Sequence, residues 1–353
     1  MGVFCQILIN KPRGGRHKAG KPITGIVRYA VDEPGRYKDI VISLIGKGKC
    51  KWQERRRKQT IHYSGKEVYT SQHLSIAHKK GPDGTFILPI GTFEQPFAFV
   101  LPYNIPSSFK DNTCTITYKI VLKFEKPSFF SIRKKFETEI YVIGNVNPIA
   151  PEGIAVAEIE KTLFTPFKKR KQRILLQTEI LNTIFKPGEQ VQVNYKVTND
   201  TNIIIPSLKA ELICRKIYTA DCGRKKKKTK SINICTVETP SVPDNAIANL
   251  ISMMLIADFL YSIQNTKIMI NEYHIQITLR LPIPYINASI KIPIVIGENN
   301  LELNVPEFDE FQEEPPSYFE VMNESDAARF HPRSFRSRGN IWIKSSLCHP
   351  GIV

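Results

Sequence analysis

The chain of 353 residues is 42% hydrophobic and 10% aromatic, enough apolar material to fill two cores, which excludes a chain disordered throughout. Its 50 Lys and Arg against 33 Asp and Glu give a formal net charge of +17 and predict an anionic partner. The charge is uneven: 45 bases and 23 acids precede Glu298, ten acids lie from Glu298 to Asp326, and five bases follow. A basic body therefore precedes an acidic strip and a basic end.

Alternation of apolar and polar residues dominates the body of the chain. Between Thr115 and Phe124, for example, Ile116 and Tyr118 alternate with Thr117 and Lys119. A period of two predicts strands with one buried face and one solvent-exposed face. Turn clusters separate these segments and no long helical pattern occurs, so we predict an all-β chain of antiparallel sandwiches. In chain order the predicted strands are Ile40–Ile45, Phe97–Leu101, Thr115–Phe124, Glu139–Ile143, Val191–Val197, Tyr273–Leu281 and Ile290–Ile296.

The strand pattern is interrupted between Asn145 and Gly153, where prolines accumulate. This boundary predicts a first sandwich over residues 1–146, a linker over 147–153, a second sandwich over 154–297 and a flexible tail over 298–353. The two halves also match faintly at a constant offset of 168 residues. The matched positions are Gly20, Ile23, Val27 and Tyr29 against Gly188, Val191, Tyr195 and Val197.

The sequence lacks the patterns of common catalytic and metal sites. The seven cysteines are widely spaced, without a CxxC pair or a His at ligand spacing, and HExxH, GxSxG, P-loop and GxGxxG patterns are missing. The longest apolar stretch, Leu250–Ile263, contains Asp258 and is too short to span a bilayer. His274 alternates outward and is expected to be a surface imidazole. We therefore expect a cytoplasmic, non-enzymatic protein with reduced thiols and without cofactor or metal.

The acidic strip contains one short motif with a physical mechanism, the Pro-Pro-x-Tyr core Pro315-Pro316-Ser317-Tyr318. This core favours an extended polyproline II backbone, so docking costs little ordering entropy. WW domains bind such segments in an aromatic groove for the prolines and a second pocket for the tyrosine ring. We predict that Pro315, Pro316 and Tyr318 contact a WW domain and that Ser317 fills the variable position. The alternative interpretation is a solvated turn.

Several segments match one known family. They are Tyr37–Gly48, Trp52–Glu54, Leu88–Gly91 and Phe97–Phe109 in the first half and, more weakly, Leu260–Ile263 and Ile292–Gly297 in the second. Together they resemble the arrestin-domain-containing proteins, the α-arrestins, and the Pro-Pro-x-Tyr motif agrees independently. The resemblance implies two curved, immunoglobulin-like β-sandwich lobes in tandem, followed by a flexible C-terminal tail.

The resemblance also implies an adaptor role. The lobes would engage membrane receptors or transporters as cargo, while the tail recruits a HECT-type ubiquitin ligase through its WW domains and so promotes ubiquitination, endocytosis and sorting at the plasma membrane and endosomes. Family tails often carry two such motifs and this chain has one, which forfeits an avidity gain of about 10²-fold from tandem WW domains. The alternative function is an arrestin-fold scaffold in vesicle sorting that recruits no ligase.

Basic residues are concentrated in runs that fall between the predicted strands, hence on loops or strand ends. One such run alone is typical of solvated loop charge. Together they predict contacts with an anionic membrane, at about 1 kcal/mol per basic residue, or with acidic or phosphorylated receptor tails. Two runs also resemble nuclear-localisation signals, but no nucleic-acid-binding pattern occurs and none is expected as a partner. The predicted contacts are Arg55, Arg56, Arg57, Lys58, Lys168, Lys169, Arg170, Lys171, Arg224, Lys225, Lys226, Lys227 and Lys228.

Overall fold

The computed structural model of the protein describes residues 3–56, 59–76, 80–127, 134–148, 153–163, 172–221 and 225–298. Every regular element in these ranges is a β-strand, as the alternation predicted, and the strands form one group of sheets in each half of the chain. Both groups belong to one compact unit, Met1–Glu302. None of the described residues lies in a helix able to cross a membrane.

The first lobe is built from the strands before residue 144. Their bounds are β1 Val3–Ile9, β2 His17–Lys18, β3 Pro22–Val31, β4 Gly35–Tyr37, β5 Asp39–Arg56, β6 Gln59–Ser75, β7 Phe86–Leu88, β8 Gly91–Val100, β9 Phe109–Lys110, β10 Cys114–Glu125, β11 Lys134–Ile140 and β12 Val142–Ile143.

Two antiparallel sheets enclose the core of the first lobe. One has the order β1-β3-β8, and the other has the order β11-β10-β5-β6, with β9 added beside β10. Val27 of β3, Leu44 of β5 and Ile120 of β10 are fully buried between them. The apolar alternation predicted for Thr115–Phe124 is therefore confirmed as the core face of β10.

The second lobe repeats this plan. Its strands are β13 Ala155–Leu163, β14 Gln172–Ile180, β15 Ile184–Phe185, β16 Gln190–Asp200, β17 Leu208–Asp221, β18 Lys225–Glu238, β19 Ala246–Leu255, β20 Met269–Leu279 and β21 Ala288–Ile296. The sheet β13-β14-β16-β19 faces the sheet β15-β21-β20-β17-β18. Val193, Leu212 and Ile275 are fully buried between the two sheets.

The faint sequence repeat corresponds to a repeated backbone frame. Gly20 before β3 and Gly188 before β16 have positive φ angles of 83° and 88°, which favour glycine. The Gly20 amide donates to the carbonyl of Leu101 after β8 (3.1 Å), and the Gly188 amide donates to that of Ile256 after β19 (2.9 Å). β3 and β16, and likewise β8 and β19, thus hold equivalent positions in the two lobes.

Three predicted strands run past the bounds of the observed ones. One is Phe97–Leu101, because β8 ends at Val100. The run Glu139–Ile143 is not one strand: β11 ends at Ile140, and β12 then pairs in parallel with β2 in another sheet. β20 ends at Leu279, so Leu281 lies beyond it, although its side chain is still buried. Residues 149–152 of the predicted linker and nearly all of the predicted tail lie outside the described residues, so the exact domain boundaries stay predictions.

The described cysteines are free thiols that sit mainly inside the protein. Cys50, Cys114 and Cys214 are buried, and Cys5 and Cys235 are partly buried. Burial raises the pKa of the Cys5 thiol to about 11. A thiol with a raised pKa is a poor nucleophile, in keeping with a structural role for Cys5.

Candidate functional site: a basic surface beside the lobe contact

The long hairpin of β5 and β6 reaches from the first lobe to the second. Its strands pair from Val41 opposite Ser75 to Arg56 opposite Gln59. Glycines stand where this hairpin meets the second lobe: a Cβ at Gly48 would lie 2.6 Å from Ile268 Cδ1, and one at Gly65 would lie 2.7 Å from the Thr219 carbonyl oxygen. The contact at Gly65 is with backbone, so the close approach of the lobes requires glycine there, whereas a Cβ at Gly48 would first meet the Tyr69 hydroxyl of the same hairpin.

The opposite side of the hairpin carries a row of basic side chains. Lys47, Lys49, Lys51 and Arg55 share one face of β5 through its period of two, and Lys66 of β6 is directly opposite Lys49. We call these five residues the basic hairpin face. The neighbouring Lys51, within hydrogen-bond reach, and Lys66 lower the pKa of Lys49 because they disfavour another positive charge. A site that concentrates like charge in this way favours an anionic ligand.

The hairpin of β17 and β18 brings a second basic segment to the same region. Its first residues, Lys225–Lys228, pair with Asp221 through Tyr218. The β17 part of this hairpin is the part that packs on Gly65, next to Lys66. Gly65 points to the side of the β5–β6 hairpin that faces the second lobe, so the lysines at the start of β18 lie on that side, opposite the basic hairpin face.

Asp111 links the two lobes beneath this surface. Its carboxylate accepts hydrogen bonds from the Tyr218 hydroxyl (2.5 Å) and from the amides of Thr113 and Cys114 (both 2.8 Å), and Lys216 Nζ lies 3.5 Å away. Burial disfavours the charged form, but these hydrogen bonds and the Lys216 charge outweigh it and lower the pKa of Asp111. Asp111 is thus held ionised as an acceptor for the second lobe.

A second carboxylate, that of Glu67 in β6, makes a similar contact with the second lobe. Its Oε2 accepts from the Thr266 hydroxyl (2.9 Å) and the Lys267 amide (2.7 Å), and Tyr69 also hydrogen-bonds Thr266 (2.9 Å). Several hydrogen-bonded groups, not one ion pair, therefore hold the hairpin against the second lobe.

Arg16 joins the lobes at another point. Its guanidinium lies over the rings of Tyr141 and Tyr261 and donates to the Tyr261 hydroxyl (2.5 Å). Arginine between two aromatic faces gains both a cation–π attraction and a directional hydrogen bond. The orientation of the basic surface relative to the second lobe is thus fixed from two sides.

Family models match both lobes. The model of the arrestin (or S-antigen) N-terminal domain matches residues 5–148, and that of the arrestin C-terminal domain matches residues 170–301. The chain belongs to the arrestin family. The matched ranges cover the two sheet groups except β13, so the resemblance stated from the sequence is confirmed together with the two-lobed fold.

Curated relatives of this arrestin are arrestin-domain-containing proteins, the α-arrestins. Arrestin domain-containing protein 17 of Caenorhabditis elegans is 26% identical over 55% of this chain and 47% of its own length. Arrestin domain-containing protein 1 of Homo sapiens is 24% identical over 82% of this chain and 62% of its own length. Arrestin domain-containing protein 5 of Bos taurus is 22% identical over 86% and 94%. The chain thus spans about half to three fifths of the first two relatives.

Within this arrestin fold, the predicted anionic contacts are only partly described. Arg55 is exposed near the end of β5, Arg56 is the last residue of that strand, and Lys225–Lys228 open β18, so these positions are strand ends as predicted. The other predicted residues lie outside the described ranges and stay predictions: Arg57, Lys58, Lys168, Lys169, Arg170, Lys171, Arg224, Pro315, Pro316, Ser317 and Tyr318.

Sequence reasoning missed Lys47, Lys49 and Lys51. It searched for consecutive bases, whereas these alternate with Gly48 and Cys50 in the order Lys-Gly-Lys-Cys-Lys. Alternating lysines on a predicted strand place every charge on one face, and that signal was present in the sequence.

His274 lies on the outward side of β20, as predicted, but it is more enclosed than a surface imidazole. Its Nε2 is buried and has no hydrogen-bond partner among the described residues. Burial, with Lys291 and Arg215 nearby, lowers the pKa of His274. The described part of the chain contains no cluster of His, Cys, Asp and Glu suited to a metal ion.

Proposed function

We propose that this arrestin is a non-enzymatic trafficking adaptor. Its lobes engage membrane receptors or transporters, and its tail recruits a HECT-type ubiquitin ligase through WW domains, so that the cargo is ubiquitinated, internalised and sorted. The observation that carries the proposal is the Pro-Pro-x-Tyr motif Pro315–Tyr318, which follows the arrestin C-terminal domain match ending at residue 301.

The tail motif supports the proposal through its chemistry. Pro315 and Pro316 favour an extended backbone before binding, and Tyr318 offers a ring and a hydroxyl for a second pocket. The position after the arrestin domains allows the ligase and the cargo to be held by different parts of one chain, which is what an adaptor requires.

The basic hairpin face supports the cargo half of the proposal. Lys49, Lys51, Arg55 and Lys66 are exposed beside the contact between the lobes. Acidic and phosphorylated segments of receptor tails are complementary to such a surface, and arginine also binds phosphate bidentately. We propose that this face, and separately Lys225–Lys228 on the other side of the hairpin, contact anionic groups of the cargo or of the surrounding membrane.

Calorimetry of the full chain against an isolated WW domain tests the tail half. We expect Tyr318→Ala to weaken binding by about tenfold or more, since a buried aromatic anchor commonly contributes over 1.4 kcal/mol. Ser317→Ala is the matched control, because the Pro-Pro-x-Tyr pattern allows any residue at this position. Equal binding by wild type and Tyr318→Ala would remove the ligase from the proposal and favour the scaffold alternative.

Vesicle and peptide binding tests the other half. The double substitution Lys49→Glu and Lys66→Glu should reduce binding to phosphatidylserine vesicles, to a phosphorylated receptor peptide, or to both, by about 1 kcal/mol or more per residue. Lys161→Glu with Lys196→Glu changes the net charge equally on the other lobe and is the control. If both double substitutions reduce binding to the same extent, the affinity is determined by the net charge of the protein and not by the basic hairpin face.

A further inference from the structure

β19 forms one edge of the second lobe and has no feature that protects an edge. It lies last in the order β13-β14-β16-β19, and its ten residues, AIANLISMML, include no charge and no proline. Four of its outward side chains are large, apolar and exposed: Ile247 (68%), Ile251 (60%), Met253 (56%) and Leu255 (61%). Natural edge strands are usually blunted by lysine, proline, bulges or short length, and an unblunted edge pairs with other strands.

Alternate residues of β19 direct their backbone N–H and C=O groups to opposite sides of the strand, and the hydrogen bonds to β16 show which of these groups are free. The Ile256 amide donates to the Glu189 carbonyl (2.9 Å), so in the antiparallel ladder the even-numbered residues of β19 direct their N–H and C=O groups towards β16. The odd-numbered residues 247–255 direct theirs away from the sheet. Among the described residues, no backbone group hydrogen-bonds to this outer edge. The same residues that expose apolar side chains therefore also present unpaired donors and acceptors.

The equivalent strand of the first lobe is protected. The Leu101 amide donates to the Lys21 carbonyl (3.1 Å), so the odd-numbered residues of β8 direct their backbone groups towards β3. Pro96 is even-numbered and therefore lies at a position that faces the free edge, where a proline has no N–H to offer. Glu94, two residues earlier, adds a charge to this edge. Because Leu101 and Ile256 are equivalent, Pro96 corresponds to Ile251. The fold thus contains the same edge twice, once protected and once exposed.

We propose that β19 pairs with β19 of a second copy of this chain across a two-fold axis, so that the two four-stranded sheets join into one. Placing the axis at Ile251 puts it opposite Ile251 of the second copy, with Ile247 opposite Leu255 and Asn249 opposite Met253. All these residues direct their backbone groups away from their own sheet, so this register forms about ten backbone hydrogen bonds between the two copies. It also pairs apolar side chains with each other, the arrangement that stabilises adjacent strands.

The low charge around β19 makes this edge the place where a second copy can dock. The chain carries +17, so two copies repel over most of their surface and can meet closely only where charge is low. β19 is uncharged, and the neighbouring edge strand β18, which runs beside it, is uncharged from Ser231 to Val237. An anionic partner would be drawn to the lysines instead. The proposal is independent of the tail motif and of ligase recruitment.

Other edge strands fit a second copy less well. β11 and β13 carry charges, including Glu137 on β11 and Glu158 on β13. β1 is uncharged, but it has seven residues and two large exposed apolar side chains, Phe4 (70%) and Leu8 (38%). A pairing of β1 with β19 of another copy would repeat head to tail without closing, whereas pairing of β19 with itself closes as a dimer.

Sedimentation of the full chain over a range of concentrations tests the pairing. We expect the wild type to form a dimer and Ile251→Pro, which reproduces the protection of Pro96, to raise its dissociation constant at least about tenfold. Met253→Lys should do the same, and Ala98→Lys, at the equivalent position of β8, should not. Circular dichroism checks that each variant is folded, as expected for proline at an edge.

Three results would overturn the proposal. The first is a wild type that stays monomeric, even if it binds unrelated extended peptides through β19. The second is equal weakening of the dimer by Met253→Lys and Ala98→Lys, and the third is dissociation of the dimer by Phe4→Lys but not by Ile251→Pro.

Mild oxidation tests the register separately. Hydrogen-bonded strand pairs place Cα atoms about 5.5 Å apart, within disulfide range. Ile251→Cys should therefore form a cross-linked dimer beyond the wild-type background, whereas Ile247→Cys should not. Efficient cross-linking of Ile247→Cys alone would contradict the register.

Discussion

β8 in the first lobe and β19 in the second occupy the same place in the same hydrogen-bonding frame, yet their outer surfaces differ. Each pairs with a strand that is preceded by a glycine with positive φ, and hydrogen bonds between Gly20 and Leu101 or between Gly188 and Ile256 join the ends of the paired strands. β8 then presents Pro96 and neighbouring polar or small residues, whereas β19 presents large apolar ones.

This difference separates two demands on the sequence. The strand arrangement shared by the two lobes, which we call the frame, depends on a few backbone positions and on buried side chains of the right size. The two lobes form this frame with different residues. The outward positions of an edge strand contribute little to that frame, so they are free to prevent or to promote association. The comparison predicts that frame substitutions act alike in the two lobes and that edge substitutions do not.

The largest effects should follow truncation of matched core residues. Leu44 of β5 and Leu212 of β17 are both fully buried, so each Leu→Ala change should cost about 2–5 kcal/mol of unfolding free energy. Tyr218 and Met269 of the second lobe pack in the core of the first, so we expect both changes to shift one common transition. Differential scanning calorimetry measures this, with exposed Val68→Ala as the control. Two separate transitions, one for each variant, would show that the lobes unfold independently.

The next effect concerns the bond between the lobes. Asp111→Asn keeps an acceptor for Tyr218 but removes the charge, and should cost about 1–3 kcal/mol near neutral pH, reduced by partial exposure of the carboxylate. The folded pKa is lowered, so the charge stabilises the protein above the unfolded pKa of about 3.9 and this contribution is lost as pH falls through the folded value.

Urea unfolding of both proteins at a series of pH values provides the measurement. The difference between wild type and Asp111→Asn should be constant above about pH 5 and shrink below about pH 4. Exposed Asp244→Asn serves as the control. A difference that grows on acidification would contradict the stabilising role of the ionised carboxylate.

Much of the frame could be predicted from the sequence because it is local. Alternation identified the core face of β10, and the 168-residue offset identified Gly20 and Gly188 as equivalent. The lobe contact could not be predicted in this way. Asp111 and Tyr218 are 107 residues apart, and neither belongs to a periodic pattern that requires the other. The exposed edge of β19 was also hidden, since a run of apolar residues indicates burial until its neighbours are known.

Smaller effects should come from the two equivalent glycines. Gly20→Ala and Gly188→Ala should each cost about 1–2 kcal/mol, because alanine is strained at positive φ. A Cβ at Gly188 would lie 2.6 Å from Asp258 Oδ1, but that exposed side chain can move. Chemical denaturation should therefore give similar losses in both lobes. Gly188→Asn discriminates the cause: asparagine tolerates positive φ and should cost less than alanine, whereas crowding would make the larger residue worse.

The smallest effects should come from one ion-paired glutamate in each lobe. Glu137 accepts from Lys119 and Lys135 (both 2.5 Å), and these hydrogen bonds lower its pKa to about 2. Its side chain is 37% exposed, however, so water and salt screen the pair and Glu137→Gln should cost no more than about 0.5 kcal/mol. Glu211, 13% exposed, accepts from Lys209 (2.6 Å) and from Asn233 (2.8 Å).

Glu211→Gln should therefore cost more, about 1 kcal/mol, and its cost should depend less on salt. Urea unfolding in low salt and in about 1 M salt, where the Debye length is ~3 Å, compares the two variants. We expect the small cost of Glu137→Gln to disappear in high salt while part of that of Glu211→Gln remains. The reverse order would mean that the low pKa of Glu137, and not exposure to solvent, determines how much an ion pair stabilises this fold.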